Sequence, residues 1–145
     1  CKHCQNVAGL KQPRVLYEAV RASTRRSSDL LSMPVVPMRD AFRRSLEQHP
    51  EIDLYAHKTD RHHGSPRGIY LAACVFYTCF SGRSPLGLDP EKMTTADFTS
   101  ACARARPDRA LARTLQHTAW DAWREERKEF PRVLCFTNHA HTAHR

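Results

Sequence analysis

Long apolar runs are missing from this chain of 145 residues. The longest one extends from Ile69 to Tyr77, far short of the roughly 20 residues that a membrane-spanning helix needs. No basic stretch followed by an apolar segment marks a signal peptide. We therefore expect a soluble protein without a membrane partner, and its cellular compartment stays unassigned.

Glycine is also scarce, with five residues against nine prolines, and neither repeats nor low-complexity tracts occur. Apolar residues make up 41% and charged residues 26%, which are ordinary values for a globular protein. This composition excludes a collagenous, wholly disordered or membrane-embedded chain. The length of 145 residues suits a single domain.

The six cysteines are too few and too irregularly spaced for the disulfide framework of a small secreted domain. Cys1 and Cys4 form a CxxC, which is half of a typical structural zinc site. No second CxxC follows, and the histidines that could complete the site resemble a polar terminus: His139, His141 and His144. A zinc-stabilised module is therefore a minor alternative, and we expect neither a metal nor a cofactor.

Positive charge exceeds negative charge, since 23 Lys and Arg against 15 Asp and Glu leave a net charge of +8. The excess lies in the flanks, with net +5 in residues 1–48, zero in 49–90 and +3 in 91–145. A basic surface can attract phosphate or anionic lipid. Runs of basic residues are more often solvated helix faces, so nucleic acid is not the partner we expect.

Apolar spacing predicts helices separated by short extended segments. One helix begins near Arg14 and ends in the polar stretch 23–28, and a second covers 38–48. Residues 31–36 and 52–55 are predicted as short strands, because β-branched or alternating apolar residues lie between turn signals there. The alternation of helices and strands predicts the α/β class, helix-rich and with few short strands.

Two later helices have clear start signals. Ser65 is a favoured N-cap and Pro66 suits the first helical position, so an apolar helix should run from here to a C′ glycine at Gly82. Its residues are apolar almost all round, which is typical of a helix buried on most sides. On that reading, Phe76→Ala would cost roughly 3–5 kcal/mol. Pro107-Asp108 starts a long last helix.

The polar segment before the apolar helix holds the candidate chemistry. Asp60 and His63 are three residues apart in it. An aspartate can hold one ring nitrogen of an imidazole and fix its tautomer, which leaves the other nitrogen free to take a proton from a nucleophile. The same residue types also occur in loops that only cap a helix, so the spacing alone leaves both interpretations open.

Residues 60–68, 70–77 and 81–85 together resemble the C-terminal block of SGNH (GDSL-type) hydrolases, an Asp-x-x-His followed by a small-residue helix and a Gly-x-Ser-Pro loop. Weaker similarity extends over roughly 14–125. The resemblance implies the C-terminal part of a flavodoxin-like three-layer α/β fold. The domain would then cover 14–130, after an irregular lead-in at 1–13 and before a flexible tail at 131–145.

The resemblance also implies roles for single residues. Asp60 would be the triad acid and His63 the general base, with the adjacent His62 as the competing candidate. The substrate would be a carboxylic ester, such as an acetylated sugar, and no metal or cofactor would take part. The sequence contains no Gly-Asp-Ser, and its only asparagines are Asn6 and Asn138, so the nucleophile and oxyanion blocks are absent from it.

The resemblance therefore predicts the acid–base half of a serine ester hydrolase, with an upstream segment supplying the nucleophile. The alternative is a non-catalytic, truncated relative that acts as a binding or interaction protein through its basic surface. Because the serine and the oxyanion donors are absent, we expect the isolated chain to be inactive. If it proved active through His63, Ser65 would be the first nucleophile to test.

Overall fold

The computed structural model describes residues 13–55, 64–92 and 106–133. These residues form four α-helices and a short 3₁₀ helix: α1 (Pro13–Leu31), α2 (Met38–Gln48), α3 (Pro66–Ser81), the 3₁₀ helix (Pro90–Lys92) and α4 (Arg109–Glu129). The chain divides between Val35 and Val36 into two compact units. Helix α1 lies in the first unit, and all the other helices lie in the second.

The predicted α/β class is wrong, because the described residues contain no strand and no sheet. Near the predicted strand 52–55, the pairing is an isolated antiparallel bridge between Tyr55 and Gly64. A single bridge closes a turn but does not build the ladder that a three-layer fold needs. The second unit is therefore a helical assembly and not part of a flavodoxin-like sheet.

The strand predicted at 31–36 is also wrong. Leu31 is the last residue of α1, and Ser32 has a positive φ of 52°, which ends the helix. Pro34 and Pro37 lack the backbone N–H that a ladder uses. Val35 forms only an isolated bridge, so the valines between the two prolines do not build a strand.

Helix α1 continues through the polar stretch 23–28, where the sequence predicted its end. Arginine is a good helix former, and the hydroxyl of Thr24 donates to the carbonyl of Val20 at 2.8 Å, so it does not compete with the helix. The hydroxyl of Ser28 donates to the carbonyl of Met33, just beyond the helix end. The hydroxyls of Thr24 and Ser28 are thus both paired with backbone carbonyls.

The boundaries predicted for the other helices are confirmed. Ser65 caps α3, and Gly82 follows it in the left-handed conformation with φ of 65°. The carboxylate of Asp108 accepts a hydrogen bond of 2.8 Å from the N–H of Leu111 at the start of α4. Helix α2 covers 38–48, as its apolar spacing indicated.

The core of the second unit lies between α2, α3 and α4, each of which packs against the other two. Its fully buried side chains include Ala41, Leu54, Leu71, Val75, Leu115 and Ala119. At the edge of this core, Arg44 of α2 forms an ion pair with Glu125 of α4. Because the carboxylate is exposed, that pair contributes little to stability.

Helix α3 is buried on one face only, so the prediction that it is buried on most sides is wrong. Ile69 and Phe76 are each 42% exposed and Phe80 is 53% exposed, along one stripe of the helix. The Phe76 and Phe80 rings stack on each other with centroids 5.9 Å apart. Within the described ranges, no helix combines the length and hydropathy that crossing a membrane requires.

The lead-in predicted at 1–13 and the tail predicted at 131–145 lie almost wholly outside the described residues, so both remain predictions.

Candidate functional site

Backbone pairing joins the described residues on either side of the segment 56–63. Tyr55 and Gly64 form an antiparallel bridge, and the N–H of Ser65 donates to the carbonyl of Leu54 at 2.9 Å. Leu54 is fully buried, so this closure is anchored in the core. The residues that flank the segment therefore meet at one place, the N-terminus of α3.

Ser65 holds that closure to the helix. Its hydroxyl donates to the carbonyl of Asp53 at 2.7 Å and accepts from the N–H of Gly68 at 3.2 Å. The residue is 8% exposed. Its proton and a lone pair are both engaged by backbone groups, which is the arrangement of a capping serine and not of a nucleophile.

Gly68 lets the segment before the bridge approach α3 closely. A Cβ at this position would lie 2.2 Å from the carbonyl oxygen of Leu54, which is impossible without moving backbone. At Gly64, by contrast, a Cβ would meet its nearest atoms at 3.6 Å, an ordinary contact. The role of Gly68 could not be predicted, because the approach of Leu54 is a tertiary contact that no local sequence pattern shows.

Asp60, His62 and His63 lie in 56–63, outside the described residues, and their predicted pairing remains a prediction. The CxxC cysteines Cys1 and Cys4 and the terminal histidines also lie outside them. Across 13–55, 64–92 and 106–133, no group of three or more His, Cys, Asp or Glu side chains could hold a metal ion.

A buried hydrogen-bond network, which the sequence analysis missed, joins α3, α4 and the loop 86–90. The hydroxyl of Tyr70 donates to the carbonyl of Leu88 at 2.9 Å and accepts from Nε2 of Gln116 at 2.5 Å. The same Nε2 donates to the Leu88 carbonyl at 2.7 Å. Oε1 of Gln116 accepts from the N–H of Gly87 at 3.0 Å. One side-chain amide thus fixes the loop at two consecutive residues.

The phenol of Tyr70 and the thiol of Cys74 in this region are neutral at physiological pH. Burial raises the pKa of Tyr70 to about 12, although the hydrogen bond from Gln116 works in the opposite direction. Burial likewise raises the pKa of the Cys74 thiol to about 12. Since the thiolate is the reactive form of cysteine, Cys74 is a small core residue, and Cys79 is likewise buried in the core.

Compared with protein-family models, with curated proteins and with solved structures, the chain shows no significant match. The functional interpretation therefore depends on the residues themselves. The resemblance to SGNH hydrolases remains a prediction carried by 60–68, 70–77 and 81–85.

Proposed function

We propose that this chain carries the acid–base part of a serine ester hydrolase of the SGNH type. In this proposal Asp60 orients His63, and His63 is the general base. The substrate is a carboxylic ester or an acetylated sugar. The nucleophilic serine comes from residues other than these 145.

The observation that carries the proposal is the closure of the segment 56–63 at the N-terminus of α3. A general base has to be presented to its nucleophile in a fixed position. A segment whose two ends are held together has lost the closure entropy that a free loop of this length retains. The bridge of Tyr55 with Gly64 and the cap at Ser65 supply that attachment, and they anchor it to a buried part of the helical unit.

The chemistry assigned to these two side chains is a proton relay. The imidazole of His63 takes the proton of the serine hydroxyl as the serine oxygen bonds to the ester carbonyl carbon. The imidazolium then gives this proton to the departing alcohol as the ester C–O bond breaks. Water repeats the sequence on the acyl-enzyme, which releases the carboxylic acid. Asp60 stabilises the imidazolium in both steps and does not itself take the proton.

The three-layer fold is not part of the proposal, since the described residues exclude a sheet. What supports the proposal is the Asp-x-x-His spacing, the residues around it, and the attachment of that segment to α3. Ser65 is removed as an alternative nucleophile because its hydroxyl caps the helix.

A second candidate function is a non-catalytic binding protein with a basic surface. Arg109 and Arg113 favour it, because both are exposed and neither has an ion-pair partner within the described parts of the chain. They lie four residues apart on α4, so they share a helix face.

Hydrolysis of p-nitrophenyl acetate tests the proposal with this chain and with a chain extended upstream. We expect background rates from the isolated chain and turnover from the extended one. His63→Ala in the extended chain should lower kcat about 10³-fold or more. His62→Ala is the matched control, because it removes the neighbouring imidazole, and it should leave kcat within about threefold of wild type.

Two results would contradict the assignment. One is turnover by the extended chain that survives His63→Ala. The other is a larger loss from His62→Ala than from His63→Ala, which would move the base by one residue. If no extended chain hydrolyses esters while the isolated chain binds an anionic ligand, the second candidate function replaces the first.

A further inference from the structure

An open pocket of about 640 Å³ lies between the loop 86–90 and one face of α4. The helix contributes Arg109, Ala112, Arg113 and Gln116 to its lining, which is the spacing of a single helix face. A volume of this size is typical of sites for small molecules. None of the lining residues belongs to the segment 56–63 or to the residues that close it.

The wall of the pocket is held in place by the network of Gln116. Its amide bonds to the N–H of Gly87 and to the carbonyl of Leu88, and the hydroxyl of Tyr70 bonds to the same carbonyl. Gly87 has a φ of 89°, a conformation that suits glycine. The loop is thus fixed before any ligand binds, which lowers the entropy cost of binding.

The charges of the lining point to an anion. Arg109 and Arg113 are exposed and have no hydrogen-bond or ion-pair partner among the described residues. The carboxylate of Asp89 accepts from the N–H of Glu91 at 3.0 Å, at the start of the 3₁₀ helix. The lining therefore has two guanidinium groups and one carboxylate, and that carboxylate accepts a backbone hydrogen bond.

Arg109 lies in the first turn of α4, where a positive charge is unfavourable for the helix. The N-terminus of a helix is its positive end and favours carboxylates. After the cap at Asp108, the first turn of α4 contains no acidic residue and begins with Arg109. A bound anion would offset the repulsion between Arg109 and the positive end of the helix dipole.

We infer that this pocket binds a small organic anion with an oxyanion head group and an apolar body. The guanidinium groups of Arg109 and Arg113 hold the head group, because their planar donors match the geometry of a carboxylate or a phosphate. The apolar body contacts the leucines of the loop, Leu86 and Leu88. This inference is independent of the proposed hydrolase function.

Calorimetric titration of the full chain with hexanoate and with hexyl phosphate tests the inference. Low ionic strength is needed, because at 0.1 M salt the interaction between exposed charges is largely screened beyond about 10 Å. We expect binding of at least one of the two anions, and the stronger one identifies the head group as carboxylate or phosphate. Hexanol, which lacks the charge, and inorganic phosphate, which lacks the apolar body, should both bind at least about tenfold more weakly.

The variant Arg109→Gln/Arg113→Gln should weaken anion binding about tenfold or more. Its matched control is Arg124→Gln/Lys128→Gln, which removes two exposed positive charges at the same spacing on the same helix. We expect the control to bind within about twofold of wild type, because its charges lie outside the pocket. Thermal unfolding of both variants checks that each is folded.

A third variant distinguishes binding in the pocket from a general attraction of anions to the basic surface. Leu86→Ser changes a side chain that is 42% exposed, so the fold should tolerate it. It should weaken hexanoate and hexyl phosphate and leave inorganic phosphate unchanged. Equal losses in the two double variants, or no binding by wild type at about 10 mM of either anion, would overturn the inference.

Discussion

The side-chain amide of Gln116 donates a hydrogen bond of 2.5 Å to the phenol oxygen of Tyr70, a residue 46 positions earlier in the chain. Gln116 is 3% exposed and Tyr70 is 2% exposed. Every hydrogen-bonding atom of the amide has a protein partner, since Nε2 also reaches Leu88 and Oε1 reaches Gly87. The pair therefore joins α3 to α4 and holds the loop 86–90 against both.

Gln116→Leu should lower the free energy of unfolding by about 1–3 kcal/mol, because it removes the three hydrogen bonds of a buried side-chain amide. Urea denaturation measures this loss. Tyr70→Phe removes one hydroxyl and should cost about 1 kcal/mol. The loss of unfolding free energy in the double variant should be about 1 kcal/mol smaller than the sum of the losses in the two single variants. Strict additivity would show that the two side chains are not coupled.

The free energy of unfolding should fall above about pH 9. The pKa values of Tyr70 and Cys74 are raised by burial from 10.0 and 9.0 to about 12. Below the ordinary values both groups are protonated in both states and stability does not depend on them. As pH rises toward 12, the unfolded chain loses protons that the folded chain keeps, so stability is lost.

Urea midpoints of reduced protein at about pH 8 and about pH 11 measure this effect. Tyr70→Phe removes one of the two groups and should show a smaller fall between the two values. Tyr77→Phe is the control, since Tyr77 lies on the same helix and is only half-buried. An equal fall in wild type and in Tyr70→Phe would contradict the assignment to Tyr70.

Gly68→Ala should destabilise the second unit by about 3 kcal/mol or more, because the added methyl meets the carbonyl of Leu54. Gly64→Ala adds the same methyl group at an open position and should change stability by about 1 kcal/mol or less. Thermal unfolding compares the two. Similar losses from both substitutions would mean that the close approach of Leu54 to α3 is not what requires a glycine.

The same comparison extends to function. In an extended chain that hydrolyses esters, Gly68→Ala should lower kcat together with stability, because the closure of 56–63 depends on this approach.

Leu71→Ala should cost about 2–5 kcal/mol, since Leu71 is completely buried. Phe76→Ala should cost about 1 kcal/mol or less, because the ring is 42% exposed and loses mainly its stacking on Phe80. This reverses the cost of roughly 3–5 kcal/mol that the sequence pattern predicted. Chemical denaturation of both variants decides the order, and a larger loss from Phe76→Ala would show that the exposed stripe is covered in solution.

Helix ends were predictable because their causes are local. The caps act through atoms within a few residues of the helix end. Ser65, followed by Pro66, begins α3, Gly82 ends it, and Asp108 begins α4, as the structure confirms. The strand predicted at 31–36 failed for the opposite reason. Its β-branched valines favour an extended backbone, but a strand also needs a partner, which periodicity does not reveal.

The exposed face of α3 and the network of Gln116 were beyond prediction for a related reason. Uniformly apolar residues do not indicate which face of a helix is covered, so the exposure of Phe76 could not be deduced. The pairing of Gln116 with Tyr70 spans 46 positions, and nothing in the neighbourhood of either residue signals it. The Asp60-x-x-His63 spacing, in contrast, is a local motif, and its chemical role stays a prediction.

The closure between Tyr55 and Gly64 separates two kinds of evolutionary constraint. Leu54 and Gly68, which build the closure, are constrained by packing, whereas the length of the chain between Tyr55 and Gly64 is constrained by the entropy of closing it. Doubling the length of such a segment costs only about 0.6 kcal/mol of closure entropy. The closure should therefore tolerate a change in the length of this segment better than it tolerates a side chain at residue 68.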